Sequence, residues 1–241
     1  MYEMSPSNVE LFAYLEPPKG GVPAHGIVVD FHGLGGGTSM PASMPAGLAY
    51  AECGALYVYP YYGPWSWMND VAVRYCDSVL KAAAERFRLP DDAPVVATGG
   101  SMGGLSALVF ARYTRMNIVA CAANCPVCDL PYHYTERPDL PRTLHAAFGH
   151  YACPLQAAIK SASPLHLAPS MPDIPYYIVH GDADTAVKKA MHSDKLVAEM
   201  RRLGCDVTYD EVRGMAHCAL PPENEAALRS FVLKNLRAHS G

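Results

Sequence analysis

The sequence predicts an α/β protein built on a mostly parallel sheet. Two observations support this prediction: short apolar runs of strand length recur along the chain, and segments with helical spacing separate most of them. Such a sheet carries helices on both faces, because its strands are buried on both sides. The 241 residues, 50% of them hydrophobic, are enough for one sizeable core, so we expect a single domain over residues 1–241.

The predicted strands can be justified in order along the chain. Residues 9–15 alternate loosely between apolar and polar, which is typical of an edge strand, here expected to be antiparallel. The other predicted strands are short apolar runs at residues 26–31, 55–59, 94–97, 117–122, 176–180 and 207–212.

Helices are predicted from apolar spacing and from end signals at residues 70–87, 105–113, 186–203 and 223–238. Asn69 or Asp70 can cap the first of them, and Gly204 is a good stop for the third. Residues 126–175 break the alternation and are rich in proline, tyrosine and histidine, with short helical pieces near residues 140–148 and 154–161. We expect this segment to be a cap inserted over the carboxyl edge of the sheet.

Composition excludes several classes of partner. The net charge is -4 and no basic cluster occurs, so we expect no nucleic-acid partner. The longest apolar runs have strand length, so we expect no membrane association. The first residues lack the pattern of a signal peptide and the eight cysteines are scattered, which predicts a reduced, cytoplasmic protein. A homo-oligomer remains open.

The run Gly99-Gly100-Ser101-Met102-Gly103 fits the pattern G-x-S-x-G and lies between a predicted strand and a predicted helix. That context is typical of a nucleophile elbow, in which a strained turn holds a serine hydroxyl exposed at the end of a sheet. Glycines are needed there because side chains at neighbouring positions would collide with the strand and the helix. The alternative is a turn that merely contains a serine.

A serine nucleophile needs a base and an orienting carboxylate. Asp182 and Asp184 follow the predicted strand at 176–180, and His217 follows the one at 207–212. Functional groups collect at such carboxyl ends in open α/β sheets. Taken singly, an aspartate here could cap the next helix and the histidine could be a surface residue. The chain order serine, aspartate, histidine is nevertheless that of one hydrolase class.

A glycine-rich loop, residues 32–38, follows the predicted strand at 26–31. Its glycines allow sharp turns that point amide hydrogens into a cleft, as an oxyanion requires. A phosphate-binding loop is the alternative, but no lysine follows the glycines and the spacing misses G-x-G-x-x-G. The loop therefore indicates an oxyanion site.

On these motifs the chain resembles an α/β-hydrolase. It is similar to small esterases related to the prolyl oligopeptidase and dienelactone hydrolase groups, and to bacterial acetyl xylan and feruloyl esterase-like proteins. The likeness covers nearly the whole chain outside residues 126–175. It implies Ser101 as nucleophile, His217 as base and Asp184 as acid, with Asp182 as a structural neighbour.

The resemblance also implies that the backbone amides of Leu34 and Met102 stabilise the oxyanion, and that neither a metal nor an organic cofactor is needed. We therefore expect a serine carboxylesterase acting on short acyl esters, with an acylated sugar or an aromatic ester as substrate. A small serine peptidase of prolyl oligopeptidase type and a non-catalytic binding protein are the alternatives. An unperturbed histidine titrates near pH 6.5, so activity should fall in acid.

Trp65 and Trp67 lie in a loop after the predicted strand at 55–59, where aromatic faces could stack on a sugar or an aryl group. Packing of the loop against the sheet is the alternative. Histidines and tyrosines of the insertion, His133 among them, could line the entrance. The cysteines at 121, 125 and 128 have a spacing that can bind an iron–sulfur cluster, but incidental cysteines in an apolar strand explain them better.

Overall fold

A seven-stranded sheet forms the centre of the computed structural model, which describes residues 3–21, 24–39 and 41–239. The strands are β1 (Ala13–Glu16), β2 (Ile27–Phe31), β3 (Leu56–Pro60), β4 (Val95–Gly100), β5 (Ile118–Asn124), β6 (Tyr176–Gly181) and β7 (Val207–Val212). The α-helices in these ranges are α1 (Pro45–Glu52), α2 (Asp70–Arg86), α3 (Met102–Tyr113), α4 (Leu130–His133), α5 (Leu140–Phe148), α6 (Leu155–Lys160), α7 (Pro164–Leu167), α8 (Ser193–Arg202) and α9 (Pro222–Ala238).

The strand order is β1-β3-β2-β4-β5-β6-β7, and all neighbours are parallel except β1, which runs antiparallel to β3 at one edge. The predicted fold class is thereby confirmed. The chain leaves β2 toward one side of the sheet and leaves β4 toward the other. Open α/β sheets have a crevice at such a reversal, beside the carboxyl ends of the two strands.

Alternation along the strands divides the apolar side chains between two faces. In β2, Ile27 and Val29 belong to a cluster that includes the buried side of α2 and α3. Val28, between them, belongs to a second cluster with Tyr50 of α1 and Val232 of α9. This two-residue period, with helices on both sides, fills both faces of the sheet as the sequence predicts.

Two predicted elements differ from the structure. Residues 9–15 do not form one strand, because Val9–Leu11 is a 3-10 helix and β1 begins only at Ala13. The helix predicted at 186–203 is shorter: Lys189–Met191 is a 3-10 helix, and α8 begins at Ser193. The Val187 carbonyl explains the second difference, since it lies 2.9 Å from Nε2 of the buried His180 and is not bonded into a helix; the Met191 amide bonds to the Lys188 carbonyl instead.

Four short helices, α4 to α7, lie in the insertion at residues 126–175. Their apolar side chains are continuous with the main core, because Leu144, Phe148 and Ile159 belong to the same buried cluster as β2 and α3. Asn69 joins the insertion to α2: its Oδ1 accepts from the Ala72 amide at 2.9 Å and its Nδ2 donates to the Ala147 carbonyl at 2.7 Å. Within the described residues, no helix is long and apolar enough to cross a membrane.

The double role of Asn69 gives a prediction about stability. Replacing it by Ala removes the cap of α2 and leaves the carbonyl of Ala147 without this donor, so we expect Asn69→Ala to lower the free energy of unfolding by about 1–3 kcal/mol. Urea denaturation measures the change. The matched control is Asn117→Ala, whose exposed side chain also donates to a carbonyl, that of Asp92; equal losses in both variants would contradict the assigned role.

Candidate active site

A cavity of about 510 Å³ opens beside the carboxyl ends of β2 and β4, at the reversal of the sheet. Its walls combine the glycine-rich loop after β2, the turn after β4, two residues of the insertion and the loops after β6 and β7. The lining residues are Gly33, Leu34, Trp67, Gly100, Ser101, Met102, His133, Arg137, Ala186, Val187, His217 and Cys218. With the loop of Trp67 after β3, residues from six separated parts of the sequence therefore meet in one place.

Ser101 lies on a sharp turn between β4 and α3, with φ 60° and ψ −122°. Two close approaches enforce the turn. A Cβ on Gly103 would lie 1.9 Å from the carbonyl oxygen of Phe31, and one on Gly99 would lie 2.5 Å from the carbonyl of Gly103. Glycine is thus required at both positions of the motif, and the turn holds Ser101 at the cavity in a conformation that is costly for a residue with a side chain.

The Asp184 carboxylate contacts His217 directly: Asp184 Oδ2 and His217 Nδ1 are 2.7 Å apart. Oδ2 also lies 3.1 Å from Nε2 of His180, and Oδ1 accepts from the amide of Val187. Burial by itself would raise the pKa of Asp184, but these hydrogen bonds outweigh it and hold the pKa far below its usual range. Asp184 is therefore a buried, ionised and fixed partner of His217.

His217 is half-buried at the cavity wall. The hydrogen bond with Asp184 and the nearby sulfur of Cys125 stabilise the imidazolium and raise the pKa of His217 to about 9. Among the described residues, no hydrogen bond joins Ser101 Oγ to His217 Nε2, and that nitrogen lies 3.8 Å from Sγ of Cys218. Catalytic hydrogen bonds of this type are often longer before the substrate binds.

Asp182 does not share the position of Asp184. Its Oδ1 accepts from the amide of Gly214 at 2.6 Å, which fixes the loop after β7. The two aspartates, equivalent candidates from their loop position, thus differ in what they contact. The Asp184 carboxylate contacts the imidazole of His217, whereas the Asp182 carboxylate accepts from a backbone amide of the loop that carries His217.

An oxyanion donor must be an N–H group at the cavity that has no other acceptor, and the backbone amides of Leu34 and Met102 have this property. Both residues line the cavity with Ser101. Met102 is the first residue of α3, so its N–H has no partner within the helix. In the described part of the chain neither amide hydrogen has an acceptor. The N-terminal end of a helix also favours a developing negative charge.

Of the two tryptophans predicted to bind the substrate, Trp67 lines the cavity and Trp65 does not. Trp65 is 40% exposed and does not line the cavity, because the turn at residues 64–65 is tied to the Gly35 amide through the Pro64 carbonyl. Trp67 belongs to the cavity wall but has 0% exposure, because its Nε1 donates to Thr143 Oγ1 and its ring packs edge-on against His133. Neither ring therefore offers an open face to the cavity, and Trp67 is packed as the alternative describes.

Polar side chains of the insertion do reach the cavity. His133 was among the residues expected at the entrance and lines the cavity together with Arg137. Arg137 makes two hydrogen bonds to Asp139, at 3.0 and 2.6 Å, which raise the pKa of the guanidinium further. No pattern in the sequence singles out Arg137, because its place depends on how the insertion folds over the sheet.

Two cysteines next to His217 escaped the sequence interpretation. Cys125 is the first residue after β5 and Cys218 follows His217; their sulfur atoms and a ring nitrogen of His217 lie within 4.8 Å of one another. A hydrogen bond from Cys218 lowers the pKa of Cys125 to about 5 despite burial. Cys125 is fully buried and does not line the cavity, so its thiol has no access to a substrate.

The cysteine spacing at 121, 125 and 128 does not bring these three side chains together around one ion among the described residues. Cys121 lies in β5 within the main core, and the Cys128 thiol donates to the Pro126 carbonyl. The signal that could have singled out Cys125 is its position at the carboxyl end of a strand, which it shares with Ser101 and Asp184.

Solved structures of hydrolases have the same fold. One described as a lipase in its open form aligns with a TM-score of 0.67 at 16% identity, covering 94% of this chain and 93% of the other. Esterase B from Lactobacillus rhamnosis aligns with a TM-score of 0.68 at 16% identity, and the alignment covers 98% of this chain and 89% of the esterase. A Mycobacterium tuberculosis puromycin-hydrolysing peptidase aligns with a TM-score of 0.72 at 19% identity, and the alignment covers 95% of this chain but 37% of the peptidase.

Sequence comparison identifies the family. No curated protein matches this chain in sequence. Residues 68–240, however, match the family model described as the prolyl oligopeptidase family, and this range holds Ser101, Asp184 and His217. The protein is thus a serine hydrolase of the α/β-hydrolase superfamily, and its chain belongs to the prolyl oligopeptidase family.

Proposed function

We propose that this protein is a serine carboxylesterase that hydrolyses short acyl esters through Ser101, His217 and Asp184. One observation carries the proposal: the Asp184–His217 contact of 2.7 Å borders the same cavity as a serine on a strained strand-to-helix turn. A nucleophile, a base and a group that orients the base are the parts that acyl transfer requires.

In the proposed mechanism, neutral His217 accepts the proton of Ser101 as the serine oxygen attacks the ester carbonyl. Asp184 keeps the proton of the imidazole on Nδ1 and stabilises the imidazolium that forms. The amides of Leu34 and Met102 donate to the tetrahedral oxyanion. The imidazolium then gives its proton to the leaving alcohol, and a water molecule activated by the same histidine releases the acyl group.

The size and polarity of the cavity support a small, polar substrate. A volume of about 510 Å³ falls within the range of small-molecule sites, which is about 300–1,000 Å³. His133 and Arg137 make part of the wall polar, and Arg137 is a cation. We therefore favour a short ester that carries a polar or anionic substituent. The aromatic faces that would favour a sugar are not open to the cavity.

A small serine peptidase is the second candidate. Its support is the family itself and the likeness of the fold to a puromycin-hydrolysing peptidase. The same three side chains can cleave an amide or an ester, so the substrate and not the triad separates the two proposals.

Ser101→Ala tests the proposal with p-nitrophenyl acetate, butyrate and octanoate. We expect saturable turnover in the wild type, fastest with acetate, and a loss of about 10³-fold or more in kcat in the variant, because the nucleophile is absent. The control is Ser78→Ala, on the exposed side of α2, where the hydroxyl only donates to the carbonyl of Arg74; its turnover should match the wild type.

The same pair of proteins separates the two candidates on aminoacyl p-nitroanilides. Anilide turnover that exceeds ester turnover in kcat/KM and depends on Ser101 would replace the esterase proposal by the peptidase. Equal, weak rates in the wild type and in Ser101→Ala on both substrate classes would exclude both proposals.

In the pH profile of kcat/KM, the midpoint of the acid limb should lie well above pH 6.5. His217 acts as a base only when neutral, and its pKa is raised to about 9, so activity should rise from pH 6 toward pH 9. In Cys125→Ala one of the two partners that raise this pKa is lost, so the limb should move to lower pH; in Cys153→Ala, at an exposed thiol, it should not move. A wild-type limb at or below pH 6.5 would show that the imidazolium is not stabilised.

Arg137 should matter for charged esters. Arg137→Gln removes a cation from the cavity wall, so we expect KM to rise about three- to tenfold for a mono-p-nitrophenyl ester of succinic acid and to change little for the butyrate. Arg142→Gln, at an exposed position of α5, is the matched control. An equal change of KM for the charged and the neutral ester would rule out an electrostatic role.

A further inference from the structure

Three residues with side chains and positive φ meet beside the imidazole of His217. They are Ser101 at φ 60°, Cys125 at φ 45° and Cys218 at φ 55°. The nucleophile elbow accounts for Ser101, but nothing in the proposed hydrolysis uses the two thiols. Such backbone conformations persist only where the surroundings impose them, and they concentrate at functional sites. The two cysteines therefore call for an explanation of their own.

The positions of the thiols and the imidazole suit a tetrahedral metal ion. Zinc–sulfur distances of about 2.3 Å and zinc–nitrogen distances of about 2.0 Å place two sulfur ligands about 3.8 Å apart and a sulfur and a nitrogen about 3.5 Å apart. Here Cys218 Sγ and His217 Nε2 are 3.8 Å apart, and the Cys125 sulfur lies within 4.8 Å of both partners' ligand atoms. Small side-chain movements would bring all three to bonding distance.

The orientation of the imidazole also suits a metal. Asp184 holds Nδ1 at 2.7 Å, so the proton is kept on that side and the lone pair of Nε2 faces the thiols. A carboxylate behind a histidine is the usual support for a zinc ligand, because it fixes the ring and makes the nitrogen more basic.

We propose that Cys125, His217 and Cys218 bind a zinc ion and that this ion inhibits the enzyme. Cys125 and Cys218 bind through sulfur as thiolates and His217 binds through Nε2 as a neutral imidazole, and any proton that these three atoms carry is released to solvent. A water molecule from the cavity completes the tetrahedron. His217 and Cys218 line the cavity, which gives the ion its path of entry.

Two other clusters of potential ligands are less suitable. The first is the group of Cys125, His180 and Asp184, in which both ring nitrogens of His180 already have partners. Its Nδ1 contacts the Ser193 hydroxyl, and its Nε2 contacts the Asp184 carboxylate and the Val187 carbonyl. The cluster that His133 and Glu136 of the insertion form with His192, just before α8, fails because Nδ1 of His192 accepts from two backbone amides. Its Nε2 therefore carries the proton and has no lone pair for a metal.

The two sulfur ligands select the kind of ion. Thiolates prefer zinc and other soft or borderline cations, whereas magnesium and calcium prefer oxygen. Zinc on Nε2 takes the lone pair that must accept the proton of Ser101, so hydrolysis stops while the ion is bound. This inhibition rests on the proposed function, but binding of the ion does not.

Binding is tested on the reduced, metal-free full-length protein with Co²⁺ as a spectroscopic substitute. We expect visible bands of tetrahedral cobalt and a near-ultraviolet thiolate-to-cobalt band, both abolished by stoichiometric Zn²⁺. Cys125→Ser and Cys218→Ser should each weaken Zn²⁺ binding at least tenfold, since each removes a ligand and even supporting residues are worth about 10- to 100-fold. Cys153→Ser, at an exposed thiol, should bind as the wild type.

Inhibition is measured on the same proteins with p-nitrophenyl acetate. Zn²⁺ should inhibit the wild type and Cys153→Ser reversibly, with recovery on addition of EDTA. The rate of each protein is expressed relative to its own rate without zinc. On that scale the half-inhibitory concentration of Zn²⁺ should be at least tenfold higher for Cys218→Ser than for the wild type. A wild type without the thiolate-to-cobalt band, or with a band that persists in the double variant Cys125→Ser/Cys218→Ser, would overturn the site.

The two proposals fail in different ways. A protein that shows the cobalt spectrum but hydrolyses neither esters nor anilides supports the metal site and refutes the proposed function. A protein that hydrolyses esters, shows the spectrum and keeps its full rate with zinc bound would refute the inhibition, because His217 could not then be both ligand and base.

Discussion

The carboxylate of Asp184 is the interaction on which the site depends. It is buried, and burial of a negative charge is costly unless hydrogen bonds compensate. Two imidazoles and the amides of Ala186 and Val187 supply that compensation. The same contacts fix His217 and shape the loop after β6. One charge thus determines local backbone structure, the orientation of the base and the direction in which its lone pair faces.

A second constraint is the close approach of backbone to backbone beside the site. At Gly103 an added methyl group would lie 1.9 Å from the Phe31 carbonyl, and at Gly181 one would lie 2.0 Å from the Met215 carbonyl. The first approach brings α3 against the end of β2, and the second brings the loop of His217 against the end of β6. Ser101 and His217 reach the same cavity because glycine permits both contacts.

The sequence was sufficient for the sheet and for the loops that carry Ser101, Asp184 and His217, because strand length, apolar composition and position after a strand are local signals. It was insufficient where long-range packing decides. Cys125 follows β5 and Cys218 follows β7, and the two lie together because the loop after β7 packs against the end of β6, which lies between those strands. Trp65 does not line the cavity, and no local pattern reveals this. The helix predicted at 186–203 begins only at Ser193, because the Val187 carbonyl is in contact with the buried His180, which lies in β6, outside the predicted helix.

The insertion is joined to the loop before α2 by several polar contacts. Trp67 donates to Thr143, Asn69 donates to the Ala147 carbonyl, and the amide of Asp70 donates to the Tyr151 hydroxyl. Each would have to break for the insertion to lift away, and the apolar core would be exposed as well. Lifting the insertion would therefore cost several hydrogen bonds and buried apolar surface at the same time, so the two parts of the chain resist separation.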